Sequence, residues 1–414
     1  MDEEIRQTVG GNIGRSIIIE DRGIQTEFED LPQIQRPVSY PAKASSSSYV
    51  FSFFSGCGFL DLGFEKAGFE IVIANELSSE FAEAHHYSRN RMGMPLPSEG
   101  YHQGSVEELL TGAKRNWLSS HVKTYKKKGL VGFVGGPPCP DFSVGGKNRG
   151  KDGERGKLTN SYFDLIIEQK PDWFLFENVK GLWKTKKHRE FYDEMKQMAL
   201  AAGYSVSDRL INSIEYGVPQ DRERIIMVGF CGSLLKKIGA KAGEVIDEER
   251  VHWGKYMTAN KSDLFAMPWP QKNAFGAKIA KPRVPKELTV EHWFSSNDVE
   301  NHPNAVHCFK PREGLARFLS VEEGDDSKKS YKRLHRWRYS PTACYGNNEV
   351  HLHPTLPRRI SVAEALALQS LPRGFVLPPG MTLSAMFKTI GNGVPFLAAY
   401  GLAKMIRDIT GQKK

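Results

Sequence analysis

Val50-Phe51-Ser52-Phe53-Phe54-Ser55-Gly56-Cys57-Gly58, followed by Phe59-Leu60-Asp61-Leu62-Gly63-Phe64-Glu65-Lys66-Ala67-Gly68 and then Glu70-Ile71-Val72-Ile73-Ala74-Asn75-Glu76, is the stretch that decides the fold. The apolar run 50–54 predicts a short buried strand, 60–67 a helix and 70–74 a second strand. Strand, tight turn, helix and strand in that order make a βαβ unit, whose strands must run parallel. The turn 55–58 then puts backbone amides and a helix N-terminus at the carboxyl edge of the sheet, where such folds bind ligands. Glu76 falls 20 positions after Gly56, at the end of the next strand, where a carboxylate can accept from ribose hydroxyls. The spacing Gly56-x-Gly58-x4-Gly63 differs from the dinucleotide GxGxxG and fits a nucleoside without pyrophosphate.

Outward from this unit the alternation continues. Residues 130–134 predict a strand ending in Gly135-Gly136-Pro137-Pro138. A helix is expected over 162–169, a strand over 173–176 stopping at Glu177-Asn178, a helix over 190–202 and a strand over 224–230. Apolar strands alternating with helices indicate an α/β protein with a parallel sheet covered on both faces. Over 231–356 the rhythm is lost among Pro, Trp, His and charge clusters. Regular structure resumes at Ser361, with Glu364 three residues on as a capping box, and a last helix is expected over 395–409. Residues 1–48, with Pro37, Pro41 and the serine run 45–48, read as a flexible extension. The expected division is therefore 1–48, a first catalytic part 49–230, an inserted domain 231–356 and a returning part 357–414.

Lys and Arg number 57 against 48 Asp and Glu, so 57 − 48 gives a net charge of +9. Residues 1–30 hold eight acids and three Arg, net −5, which leaves +14 on the remainder. That excess favours a polyanionic partner. No run approaches the roughly 18 apolar residues of a membrane span, and the chain opens on acids where a signal peptide is basic. Five scattered Cys (57, 139, 231, 308, 344) lack the spacing of a disulfide scaffold or a zinc cage.

Four places carry candidate chemistry. Pro137-Pro138-Cys139-Pro140 displays a Cys on a rigid loop beyond a strand end, with Lys147, Arg149 and Lys151 nearby to favour its thiolate. Glu177 ends a neighbouring apolar strand, where partial burial raises a carboxyl toward proton transfer near neutrality. Arg222 and Arg224 alternate before the strand 224–230 and are expected to project together. Lys328, Lys329, Lys332, Arg333, Arg336 and Arg338 interleave with Tyr331, Trp337 and Tyr339 as a nucleic-acid-binding pattern.

Taken in order, these residues resemble the DNA (cytosine-5)-methyltransferases. The resemblance rests on Phe53-Phe54-Ser55-Gly56-Cys57-Gly58, Asn75-Glu76, Gly136-Pro137-Pro138-Cys139, Glu177-Asn178-Val179, Gln220-x-Arg222-x-Arg224, Arg359-Ile360-Ser361-Val362-x-Glu364 with Leu368-Gln369, and Gly391-Asn392-Gly393-Val394-Pro395. Pro140 departs from the family's Gln. Gly104-Ser105-Val106 stands where the family has Gly-Asp-hydrophobic, which leaves Glu107 or a backbone group to meet an adenine, and 160–163 matches only loosely.

The resemblance implies a Rossmann-like methyltransferase sheet with the target-recognition domain at 231–356. It implies S-adenosyl-L-methionine as cofactor, held by Phe54, Ser55, Gly56, Cys57, Gly58, Glu76, Leu77, Pro137, Asn392 and Gly393, and no metal. Cys139 is implied as the nucleophile toward C6 of a flipped cytosine, Glu177 as the group at N3, and Arg224 with Arg222 as pocket cations. Of the cations in 328–338, Lys328, Lys329 and Lys332 are expected on phosphates and Arg333, Arg336 or Arg338 at base edges. Implied too are double-stranded DNA as partner, a cognate restriction nuclease or other defence partner, a monomer and a prokaryotic cytoplasm. A tRNA-methylating relative is the alternative, although its Cys-Phe-Thr signature is absent and Ala343-Cys344-Tyr345 is only a faint echo. A catalytically dead DNA-binding homologue is a second alternative, opposed by the presence of Cys139 and Glu177.

Overall fold

The computed structural model describes residues 48–138, 154–311, 315–328, 330–345 and 349–411. The N-terminal extension, Cys139 with the cations 147, 149 and 151 after it, and Lys329 lie outside the described residues. Seven strands form one sheet: β1 (Ser48–Phe53), β2 (Glu70–Glu76), β3 (Tyr101–Gln103), β4 (Leu130–Gly135), β5 (Trp173–Val179), β6 (Ser205–Asn212) and β7 (Glu223–Phe230), in the order β3-β2-β1-β4-β5-β7-β6. Strands β1 to β5 pair in parallel.

Strand alternation sends successive side chains to opposite faces, and both faces are buried. On β5, Trp173 and Leu175 join Val50, Phe64 and Val134 on one side. Phe174 and Phe176 join Phe51, Phe53, Phe133 and Tyr162 on the other. The chain winds outward from β1 to β2 and β3, then returns to lay β4 on the opposite side of β1. The carboxyl ends of β1 and β4, with Phe53 opposite Gly135, therefore flank the topological switch point where open α/β sheets bind ligands.

One expectation needs correction. The sheet is not wholly parallel, because β7 runs antiparallel to both β5 and β6. Only residues 213–222 separate β6 from β7, too few for the crossover that a parallel pair requires.

Helix α1 (Phe59–Lys66) follows the turn after β1, and α2 (Ser79–Arg91) follows β2, its first turn capped by the Ser78 side chain on Phe81 N. The helix Val362–Leu368 carries the expected capping box, with Ser361 Oγ accepting from Glu364 N and the Glu364 carboxylate accepting from Ser361 N. The C-terminal helix Phe396–Thr410 shares the core of α1 through Leu60, Phe64, Ala399, Leu402 and Ala403. Among the described residues of 231–356 there are only short helices and isolated bridges. Part of this segment packs Leu264, Trp269 and Leu288 around Ile214 from the β6–β7 connection, with Tyr339 on the same small core. Among the described residues, no helix is long and apolar enough to cross a membrane.

Candidate active site

At the end of β1, Phe54 adopts φ +55°, a left-handed conformation that a bulky residue takes only under constraint. Gly56 follows at φ +55° with open space where a Cβ would stand, its nearest neighbour being Thr389 Oγ1 at 3.9 Å. The Glu76 carboxylate reaches across from β2. Its Oε2 accepts from Gly56 N at 2.8 Å and its Oε1 from Ser78 N at 2.9 Å. Each oxygen thus keeps a further lone pair for ribose hydroxyls. Leu77 beside it is 68% exposed, an apolar side chain free to lie against a base. Ser55 Oγ is buried and has no hydrogen-bond partner among the described residues. An open Gly56, an orphaned hydroxyl, a carboxylate with free lone pairs and an exposed Leu form a cradle of the chemistry that S-adenosyl-L-methionine requires.

Two members of the turn do other work. The Cys57 side chain faces away from the edge, is 2% exposed and accepts from Thr389 Oγ1 at 2.9 Å. Burial pushes its thiol up to about 12, so it neither ionises nor lines the cradle, and only its backbone can meet a ligand. Gly58, at φ +77°, is required by packing, because a Cβ there would stand 1.8 Å from the His85 ring.

Beneath the turn lies a buried polar network absent from the sequence reading. His85 Nδ1 lies 2.9 Å from Tyr101 Oη and its Nε2 lies 3.3 Å from Asp61 Oδ2, while Ser52 Oγ donates to Asp61 Oδ1 at 2.6 Å. Arg89 Nη2 donates to Gly58 O at 2.8 Å and to Glu65 Oε2 at 2.7 Å. Burial lowers His85 to about 4, so the ring is neutral at pH 7. These bonds tie β1, α1, α2 and β3 to the turn. The available signal was Ser78 as an N-cap with Phe81, His85 and Arg89 at i, i+4 and i+8 on one helical face.

The second half of the site is built by β4, β5 and β7. Glu177 is 7% exposed, and Arg224 Nε stands 2.9 Å from its Oε1. That contact is out of line for an N–H bond, so Oε1 has no aligned donor among the described residues. Burial raises the Glu177 carboxyl, against the opposing pull of Arg224 and Arg222. A Cβ on Gly136 would stand 2.7 Å from Glu177 Oε2, so only glycine lets the β4 loop pass there. Asn178 Nδ2 reaches Pro137 O at 3.5 Å, a long contact between the end of β5 and that loop. The described chain ends at Pro138, the residue bonded to Cys139.

Arg222 must be corrected. Its charge acts on Arg224 and Glu177, but it is no open pocket cation: it is fully buried, donating from Nη1 to Ala343 O at 3.1 Å and from Nη2 to Gly391 O at 2.7 Å and Gly393 O at 3.0 Å. It is a clamp that holds the 391–393 turn and the segment near 343 against the start of β7. Replacing Arg222 with Met should lower folding stability by about 2 kcal/mol, since three buried acceptors lose their donor; thermal or denaturant unfolding measures this. An unchanged midpoint would show that the clamp is dispensable. In the turn it holds, Asn392 is exposed, whereas Gly393 is a packing glycine whose Cβ would meet the Phe59 ring at 2.2 Å.

Two of the cations expected on nucleic acid are likewise committed inside the protein. Arg333 is fully buried and donates to Val321 O at 2.8 Å, to Leu356 O at 3.1 Å, and to His353 O and Phe318 O. Arg336 forms a two-pronged pair with the buried Glu323, at 2.8 and 2.7 Å. Arg333 is enclosed by these carbonyls, and Arg336 is held on Glu323 through Nε and Nη2. Lys328 is exposed, Lys332 half-buried, and the Arg338 guanidinium has a 3.9 Å contact with Asp326 and the Tyr339 ring at 5.1 Å.

Residues 49–408 match the family model described as C-5 cytosine-specific DNA methylase. Type II methyltransferase M.NmeDI of Neisseria meningitidis serogroup C is 55% identical over 361 residues, covering 87% of this chain and 83% of that protein. Type II methyltransferase M.FnuDI of Fusobacterium nucleatum is 28% identical over 387 residues, covering 88% and 96%. Among solved structures, one described as a prophage-encoded DNA modification methyltransferase (E. coli) aligns with a TM-score of 0.61 at 22% identity, over 89% of this chain and all of that one. The S. pombe Dnmt2 methyltransferase aligns at 0.55 and 12% identity, over 87% and 98%. At those identities the structural likeness is one of fold.

Proposed function

The chain belongs to the C-5 cytosine-specific DNA methylase family, and from that premise we propose how its residues divide the reaction. The protein is a DNA cytosine-5 methyltransferase that uses S-adenosyl-L-methionine. When bound, the cofactor supplies an electrophilic methyl group. On the protein side, Glu76 accepts from the ribose hydroxyls, Ser55 Oγ and the open face of Gly56 meet the amino-acid end, and Leu77 lies against the adenine. Glu107 sits beside Ser105, whose Oγ donates to it at 3.2 Å, and takes the adenine-side position of the missing Asp. Phe54, Pro137 and Asn392 complete the wall.

C5 of cytosine is a weak nucleophile while the ring is aromatic. In the proposed reaction the Cys139 thiolate forms a bond to C6, Glu177 places a proton on N3, and the displaced electron pair makes C5 nucleophilic. With the methyl on C5, a base (water or hydroxide) takes the C5 proton, the C6–S bond breaks to release the thiolate, and N3 returns its proton to Glu177, which restores the ring. Arg224, beside Glu177, holds the polar edge of the base. C6 is shielded in a stacked duplex, so the base must be flipped out, at a few kcal/mol. The observation carrying this reading is the buried Glu177 carboxyl, held beside Arg224 and against the Gly136 loop that leads to Cys139.

We further read the chain as a monomeric Type II modification enzyme of the bacterial cytoplasm, acting on duplex DNA at one sequence chosen by residues 231–356 and accompanied by a cognate nuclease. The relatives' Type II names support the modification of duplex DNA in this reading. Incubation with cofactor and duplex DNA, followed by base-resolution mapping of 5-methylcytosine, should give one recurring sequence context. Methylation of tRNA in place of duplex DNA would overturn the reading. Glu76→Ala should weaken cofactor affinity about tenfold, the scale of a lost hydrogen bond to a charged group. Calorimetric titration with cofactor measures it, and an unchanged dissociation constant would leave Glu76 only closing the turn onto Gly56.

A further inference from the structure

The arginines of 333–338 that the sequence offered for DNA contact are mostly turned inward, and what they support is a second basic segment lying along them. Between Lys272 and Lys286 there are five cations and no acid. Lys278, Lys281, Arg283 and Lys286 are exposed, while Ile279, Pro282, Val284 and Pro285 between them are half-buried. Such alternation presents cations on one side and apolar anchors on the other. None of these four cations has an ion-pair partner among the described residues. Lys272, by contrast, lies 2.8 Å from Asp325, and the expected cluster at 328–338 is adjoined by Asp325 and Asp326.

The segment is fixed along its length. The Arg333 guanidinium lies 4.2 Å from the Phe275 ring, Lys281 Nζ stands 5.5 Å from the Trp337 ring, and Val284 packs on the core containing Trp269. Just beyond it, Val290 N donates to Arg338 O at 3.0 Å and Glu291 N to Arg336 O at 2.9 Å. It also lies close to the reaction pocket. Ser340, three residues after Trp337, donates from N to Pro219 O at 2.8 Å, and Ala343 O receives Arg222. At about 3.5 Å per residue, Trp337 stands within roughly 11 Å of that wall.

We propose that Lys278, Lys281, Arg283 and Lys286 form the strip that holds the phosphate backbone of duplex DNA beside the flipped base. This rests on the DNA methyltransferase reading above. In this arrangement the 333–338 arginines build the scaffold and the 278–286 cations make the contact. Exposed, unpaired cations give the sequence-independent, salt-sensitive part of affinity and carry no base readout.

The test is duplex affinity across about 50 to 200 mM salt, on the methylated target sequence and on a scrambled one. Replacing all four by Gln should flatten the log–log slope by roughly 0.9 per phosphate contact, up to about 3.6, and weaken both duplexes alike. Lys278→Arg, Lys281→Arg and Lys286→Arg together should keep the wild-type slope. Lys281→Gln and Arg283→Gln, made singly at exposed positions, should each flatten it by roughly 0.9 and keep the test open if the fourfold variant misfolds. A fourfold slope change below about 0.9, or single variants with none, overturns the strip. Loss confined to the target duplex overturns it too, by showing base readout. A wild-type chain that methylates no duplex would instead sink the methyltransferase reading itself.

Discussion

Cys139→Ala is expected to abolish methyl transfer, by on the order of 10⁴-fold or more, the scale met when a covalent nucleophile is removed. Cofactor affinity should change little, because the Gly56 turn, Glu76 and Leu77 that form the cradle follow or end β1 and β2, and the substitution removes only the Cys139 side chain. A duplex carrying 5-fluorocytosine at the target should trap the wild-type protein covalently, since the final step would have to expel fluorine as a cation. Competing thiols are poor candidates. Burial pushes Cys57 up to about 12 and raises Cys231 and Cys308 as well. Cys344 is exposed, so Cys344→Ala is the control and should still trap. An adduct that forms on the Cys139→Ala protein would remove Cys139 as the nucleophile.

The readability of the fold in the sequence followed burial. The runs at 50–54, 130–134 and 173–176 are almost wholly apolar because they become strands covered on both faces, broken only by the buried Ser52 and by Gly132. Strand β6 was missed because it is an edge strand paired on one side. Its Asp208 and Arg209, on opposite faces, pair with Lys196 and Glu248, which breaks the apolar run. Helix α2 was missed because the groups it buries are His85 and Arg89, polar residues whose inward direction only the network beneath the turn explains.

The arginine misreadings share a cause. An irregular insertion has few backbone ladders, so its buried carbonyls need donors from elsewhere. A guanidinium carries five N–H groups in a fixed fork, and Arg222 and Arg333 each satisfy three or more carbonyls in this way. In a one-dimensional sequence such a clamp looks the same as a solvated or DNA-facing cation. Glu177 and the Gly turn were legible because strand ends at the carboxyl edge have one fate in this architecture.

Glu177→Gln should lower kcat about 10²-fold or more, the usual contribution of a positioned acid–base group. Duplex affinity should fall far less, since a neutral amide of the same shape replaces the carboxyl. The pH profile gives a sharper readout. Burial raises the Glu177 carboxyl above its ordinary value, and Arg224 and Arg222 pull it back only in part. A group raised in the folded state keeps its proton where the unfolded chain, near pKa 4.3, has released it. Its stabilising contribution is therefore complete below the unfolded value and is lost as pH rises through the folded one. The same proton is the one required at N3, so kcat/KM should fall as pH rises through the folded pKa, and the Gln variant should lack that limb. Arg224→Met removes the nearest charge that favours the carboxylate and should move the limb to higher pH while also weakening base binding. A Gln variant with full activity, or one that keeps the wild-type limb, would take Glu177 out of the proton transfer and leave it as a partner that merely orders Arg224.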